Sequence, residues 1–190
     1  FDVLVQIYGD YGIPARDAVR SIIENNLWGL DIDERAVQLA YFSVMMKGVQ
    51  YDRRFLRRSD EKRNPDIPQP HIYAIRESNH LDNYVVEQFV GGNAGLKKDM
   101  GTLIAELHDA KEFGSILNVS QVNFEGLYKR FAECKTEISM YQNAIEQDLY
   151  PFVLVAQTLA QKYDVVVTNP PYLGSSRFSP KLDKYIKDNY

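Results

Sequence analysis

The 190 residues hold 22 Lys and Arg against 26 Asp and Glu, a net charge of −4, with 45% apolar and 25% charged side chains. That composition suits one globular domain with core enough to need no disulfide, and the lone Cys134 cannot form one within the chain. No apolar run nears the roughly 20 residues that span a bilayer and no basic-then-apolar leader opens the chain, so a cytoplasmic protein is expected; the acidic balance places most of any grip on nucleic acid outside these residues.

The sequence opens inside an amphipathic helix (Val3, Leu4, Ile7, Tyr8) and closes in another from Pro180 to Tyr190, which suggests a piece of a longer protein. Ala18, Ile22 and Ile23 give residues 15–25 a helical period. Leu27 to Asp31 reads as a short buried strand ending in acid, and a helix follows from Glu34 to Lys47, with Gly48 as its expected cap. Residues 52–63 hold six basic and three acidic side chains, read as a solvated helix end and linker, with a phosphate-contact patch as the alternative. Three prolines then stiffen the approach to a second strand, His71 to Ile75, followed by Glu77. Helix, strand and helix with short links make one turn of a parallel α/β sheet.

From Leu81 to Lys162 the pattern is helical. One helix is expected through Leu103, Leu107, Ala110 and Phe113, and another through Leu127, Phe131 and Cys134. A longer one runs from Ile138 to Lys162, broken or kinked at Pro151. Tyr163 to Thr168, apolar and β-branched at its centre, is expected as a strand covered on both faces. The expected division is an α/β core over 1–80, a helical insertion over 81–150, and a return to the core over 151–190.

That last strand leads into Asn169-Pro170-Pro171-Tyr172, the strongest chemical signal in the chain. Ligand sites of open α/β sheets lie at the carboxyl ends of strands. A conjugated exocyclic amine is a poor nucleophile. The Asn169 side-chain oxygen and the Pro170 carbonyl can each accept one amino hydrogen, aim the nitrogen lone pair at a methyl sulfonium, and stabilise the charge that develops. Pro170 and Pro171 hold those acceptors in place beforehand, and Tyr172 offers a flat ring to a base drawn out of the duplex. The alternative is a rigid loop whose prolines only end the strand.

Asp31, in Gly29-Leu30-Asp31-Ile32-Asp33, stands where an acid can accept both hydroxyls of a ribose; alternatively it is strand-end polarity, with Asp33 capping the next helix. Glu77 or Ser78 is a weaker candidate for the amino group of an adenine. Val90-Gly91-Gly92-Asn93-Ala94-Gly95 follows a helix rather than a strand, so it reads as a turn and not a nucleotide loop. His71, His80 and His108 lack metal-ligand spacing, and no metal is expected.

At Asn169 to Tyr172 the chain resembles the class I, S-adenosylmethionine-dependent N6-adenine DNA methyltransferases. Within them it is similar to the methyltransferases of BREX phage-defence systems, through Ala18 to Ile22, Asn25 to Asp33, Ala36 to Ala40, Met45 to Lys47 and Ile75 to Asn79. The resemblance implies a partial Rossmann-like α/β fold with a helical insertion, and S-adenosylmethionine as methyl donor. It places Asp31 and Ile32 at the donor's ribose, Glu77 near its adenine, and Asn169, Pro170, Pro171 and Tyr172 in catalysis. DNA and other phage-defence proteins are the implied partners. The family's glycine-rich donor loop would come just before Phe1, and its strand would separate the strands at 27–31 and 163–168. The 190 residues alone are therefore expected to be inactive and to bind the donor poorly, and those two strands to pair with each other or with another copy of the chain. Rival readings are N-methylation of a protein glutamine or an RNA base by the same loop, and a non-catalytic nucleic-acid-binding domain.

Overall fold

The computed structural model describes residues 1–54, 67–137, 139–168 and 179–189, in a chain that divides into two compact units, Phe1–Ala74 and Ile75–Tyr190. In the first unit, α1 (Asp2–Asp10) leads to α2 (Ala15–Ser21), which widens into a π-turn over Ile22–Asn26 before β1 (Trp28–Asp31). Then come α3 (Glu34–Tyr51) and β2 (His71–Ala74). Ala18, Val19, Ile22 and Ile23 are all but sealed from solvent. Val19 and Ile23 meet Met45, with Tyr41, Val44, Val49 and Tyr51 of α3 packed around them. α1 buries no residue fully and is held by polar groups: Asp2 takes Lys47 Nζ at 2.8 Å and the Tyr51 hydroxyl at 2.8 Å, and the Tyr8 hydroxyl donates to Asn26 Oδ1.

β1 and β2 pair in parallel, Trp28 opposite His71 and Asp31 opposite Ala74. The first pair is stacked, rings 4.0 Å apart and 9° from parallel. His71 Nε2 donates to the Glu24 carbonyl at 2.8 Å, and its Nδ1 lies 3.0 Å from the Tyr73 hydroxyl. The π-turn thus presents its carbonyl to the start of the neighbouring strand.

The second unit is helical among its described residues: α4 (Asn83–Val90), α5 (Ala94–Glu106), α6 (Ala110–Phe113), α7 (Phe124–Thr136), α8 (Gln142–Ala144), α9 (Tyr150–Ala160) and α10 (Pro180–Asn189). A π-turn, Ile145–Leu149, joins α8 to α9. Asp82, Asn93 and Asn123 cap α4, α5 and α7 by accepting N–H groups of the first turn. Phe89, Met100, Leu103, Leu127, Leu149, Phe152 and Val153 are sealed inside, and the Phe89 and Phe131 rings sit 4.4 Å apart. The glycine-rich segment is a turn, as expected: Gly91 closes α4 at φ 56° and Asn93 starts α5. No described helix is long and apolar enough to cross a membrane.

Four expectations are corrected. α3 runs past Gly48 to Tyr51, because Val49 and Tyr51 bury against the first core, and that outweighs the roughly 1 kcal/mol a mid-helix glycine costs. The helix expected from Leu103 through Phe113 stops at Glu106, since Asp109 turns left-handed at φ 57° and the Leu107 carbonyl accepts the Ser78 N–H at 3.2 Å. Pro151 does not break its helix: it falls in the first turn of α9, just after the π-turn, where its missing N–H is tolerated. Tyr163 to Thr168 forms no strand, and Val165, Val166 and Val167 are 79%, 71% and 92% exposed. A strand is a pairing, and β-branched side chains supply the preference without the partner. Of the described residues, only β1 and β2 form a sheet, so residues 163–168 do not pair with the strand at 27–31. Most of the charged run lies outside the described residues.

Candidate functional site

Asp31 closes β1 with its side chain in solvent. Its Oδ1 accepts the Asp33 N–H at 2.8 Å, and Asp33 in turn caps α3 by accepting the Arg35 N–H at 2.8 Å. The Arg35 guanidinium also reaches Asp33 at 3.2 Å, and hydrogen bonds from Arg35 hold that carboxyl below its ordinary range. The two acids thus divide the work: Asp33 starts the helix, while no described side chain pairs with Asp31 Oδ2. Ile32 between them is 51% exposed. An accessible carboxyl group at a strand's carboxyl end is chemically fit to accept the two hydroxyls of a ribose.

Glu77 belongs to the second unit. Its Oε1 accepts the Lys111 N–H at 3.0 Å. Ser78 is buried, its hydroxyl donating to the Ile104 carbonyl at 2.7 Å, so of the two alternatives only the half-buried Glu77 keeps an accessible side chain. The 3-10 turn Ser78–His80 that follows is gripped by Asp109: Asn79 Nδ2 donates to Asp109 Oδ1 at 2.7 Å, and the Asp109 N–H donates to Asn79 Oδ1 at 2.8 Å. Asp109 Oδ2 takes Lys181 Nζ at 2.7 Å and His108 Nδ1 at 3.1 Å. The Lys181 and Asn79 hydrogen bonds pull the Asp109 carboxyl down to about 2.

Lys181 stands in the first turn of α10. The same helix buries Leu182, stacks Tyr185 on Phe113 at 4.3 Å, accepts the Asn118 N–H on the Tyr185 hydroxyl at 2.9 Å, and is preceded by Ser179, whose hydroxyl bonds Glu112. Asn169, Pro170, Pro171 and Tyr172 lie outside the described residues, between Thr168 and this anchored helix. Sequence reasoning missed Asp109 and Lys181. Their partnership joins residues 72 positions apart and leaves no period to read; the one local signal was an acid where an amphipathic pattern had to turn.

Residues 25–190 match the family model described as Eco57I restriction-modification methylase. The whole chain aligns with "Adenine-specific methyltransferase PglX" of Lacticaseibacillus casei (strain Zhang), 31% identical and covering 16% of that protein. It aligns likewise with "Adenine-specific methyltransferase BrxX" of Escherichia coli O9:H4 (strain HS), 33% identical and covering 17%. The chain therefore spans about one sixth of the length of these curated relatives.

Proposed function

The chain belongs to the Eco57I restriction-modification methylase family, and we propose from that membership that it contributes to methylation of adenine N6 in DNA, with S-adenosylmethionine as methyl donor. The observation that carries the reading is Asn169-Pro170-Pro171-Tyr172 in a chain aligned end to end with two proteins named as adenine-specific methyltransferases. The finer fold reading is a partial class I, Rossmann-like core with residues 81–150 inserted as helices. The parallel pair β1–β2, its strands linked by α3 and the segment after it, supports that reading.

In this reading the donor supplies an electrophilic methyl group on sulfonium sulfur. Asp31 accepts the ribose hydroxyls through the oxygen Asp33 leaves free, with Ile32 beside the sugar, and Glu77 lies at the donor's adenine. Asn169 and the Pro170 carbonyl accept the two amino hydrogens of the target base, while Tyr172 stacks on its ring. With that donor bound, these acceptors would aim the amine lone pair at the methyl group, and the surplus amino proton would pass to solvent. Other phage-defence proteins are the partners this reading carries with it. The test is Asn169→Ala in the full-length protein, by single-turnover methylation of unmodified duplex with labelled donor. One lost acceptor removes on the order of 3 kcal/mol or more of transition-state stabilisation and leaves donor binding intact. Activity within a few-fold of wild type would remove Asn169 from the chemistry.

A further inference from the structure

We propose that Asp109 is a positioning residue for methyl transfer, locking the turn that begins at Glu77 to the helix that follows Asn169–Tyr172. This rests on the donor-side reading of Glu77 given above. Asp109 is the one non-glycine residue at positive φ among the described residues, at 57°. An L-residue holds that conformation only where its surroundings over-determine it, and such positions gather at sites that must keep a geometry. Here the surroundings are explicit. Asp109 and Asn79 bond each other in both directions, at 2.7 and 2.8 Å. The left-handed turn places the next segment so that the Lys111 N–H reaches Glu77 at 3.0 Å. The other carboxylate oxygen reaches Lys181 at 2.7 Å, in a side chain only 17% exposed.

The segment Asp109–Phe113 therefore has two clients. On one side it holds Glu77 and Asn79. On the other it holds α10 by Asp109–Lys181, Glu112–Ser179 and Phe113–Tyr185. Since α10 begins eight residues after Tyr172, one carboxylate joins the donor's adenine contact to the helix that anchors the far end of the segment bearing the acceptors of the target amine.

The test uses the full-length protein with Asp109→Ala, Asp109→Asn, Lys181→Met and the double variant Asp109→Asn/Lys181→Met. Donor affinity and the single-turnover rate are each referred to the folded fraction, found by active-site titration. Asp109→Ala is expected to lower donor affinity or rate about tenfold or more, because misplacement of reacting groups by an ångström costs that much, with duplex affinity unchanged. Asp109→Asn keeps an oxygen for Asn79 and tolerates the left-handed turn, so it should retain donor affinity and share the rate defect of Lys181→Met. The double variant should be no worse than either single, as expected of two residues acting through one contact. Wild-type affinity and rate per folded molecule in every variant, or additive losses in the double variant, would overturn the proposal. Glu77→Gln run in parallel separates the two readings. If it weakens donor binding while the Asp109 variants change neither donor affinity nor rate, the positioning role alone falls. If it has no effect while Asp109→Ala still slows transfer, the donor-side reading falls and the positioning role stands through α10.

Discussion

Replacing His71 with Ala tests whether the strand that presents Asp31 is held by the stack at its far end. Trp28 and His71 face each other at 4.0 Å, and His71 donates to the Glu24 carbonyl at 2.8 Å. An aromatic pair contributes ~0.5–1.5 kcal/mol beyond its buried area. Losing the donor to the carbonyl costs ~1–3 kcal/mol if the group stays dry, and Glu24 is only half-buried, so the low end applies. The expected loss is about 2 kcal/mol for His71→Ala. His71→Phe keeps the stack and loses the hydrogen bond, so about 1 kcal/mol is expected. Trp28 is the only tryptophan, so its emission reports on the first unit alone. Urea unfolding followed at Trp28 gives both numbers. If His71→Ala stays within about 0.5 kcal/mol of wild type with Trp28 emission unchanged, the stack does not hold the sheet and the reasoning fails.

Tyr172→Phe should keep most methylation, since stacking uses the ring, whereas Tyr172→Ala should lose ~1–3 kcal/mol of base binding. 2-Aminopurine fluorescence at the target position reads the difference, and equal behaviour of the two variants would deny the ring that role. The Asp109 carboxyl lies at about 2 in the folded chain, below its ordinary 3.8, so its contribution is complete above pH ~4 and is lost as pH falls through 2. Acid unfolding by circular dichroism should therefore show a shallower acid limb for Asp109→Asn than for wild type, and identical limbs would show the ion pair to be idle. Burial pushes the Cys134 thiol above its usual range, so a thiol reagent should label it only as the second unit opens. Fast labelling in native buffer would contradict that packing.

Where one element carries its own period, the sequence was legible. Ala18, Ile22 and Ile23 foretold α2 and its buried face, Leu127, Phe131 and Cys134 foretold α7, and the acids ending two short apolar runs marked β1 and β2. Where structure depends on a distant partner, it was not. Val165 to Val167 carry every preference of a strand and lie exposed, because preference belongs to the residue and pairing to the neighbour. For the site, strand-end acid and helix cap could both be placed from Asp31 and Asp33. The Asn79–Asp109–Lys181 link could not, since side-chain bonds across 30 and 72 positions have no spacing to recognise. Asn169 to Tyr172 rest on the motif and the family.

The π-turn at Ile145–Leu149 has a consequence for chain length. Such a turn is an α-helix holding one residue more than regular winding needs. Removing one residue there would restore ordinary winding with Tyr141 and Phe152 still in phase, and would close the wide turn that precedes α9. It would also hand Pro151 a ladder position whose acceptor it cannot serve. Loops absorb an inserted or deleted residue with little effect; this stretch, though it reads as plain helix, counts its residues. The number of residues between Gln142 and Phe152 is therefore constrained by Pro151, which regular winding would place where an N–H is needed.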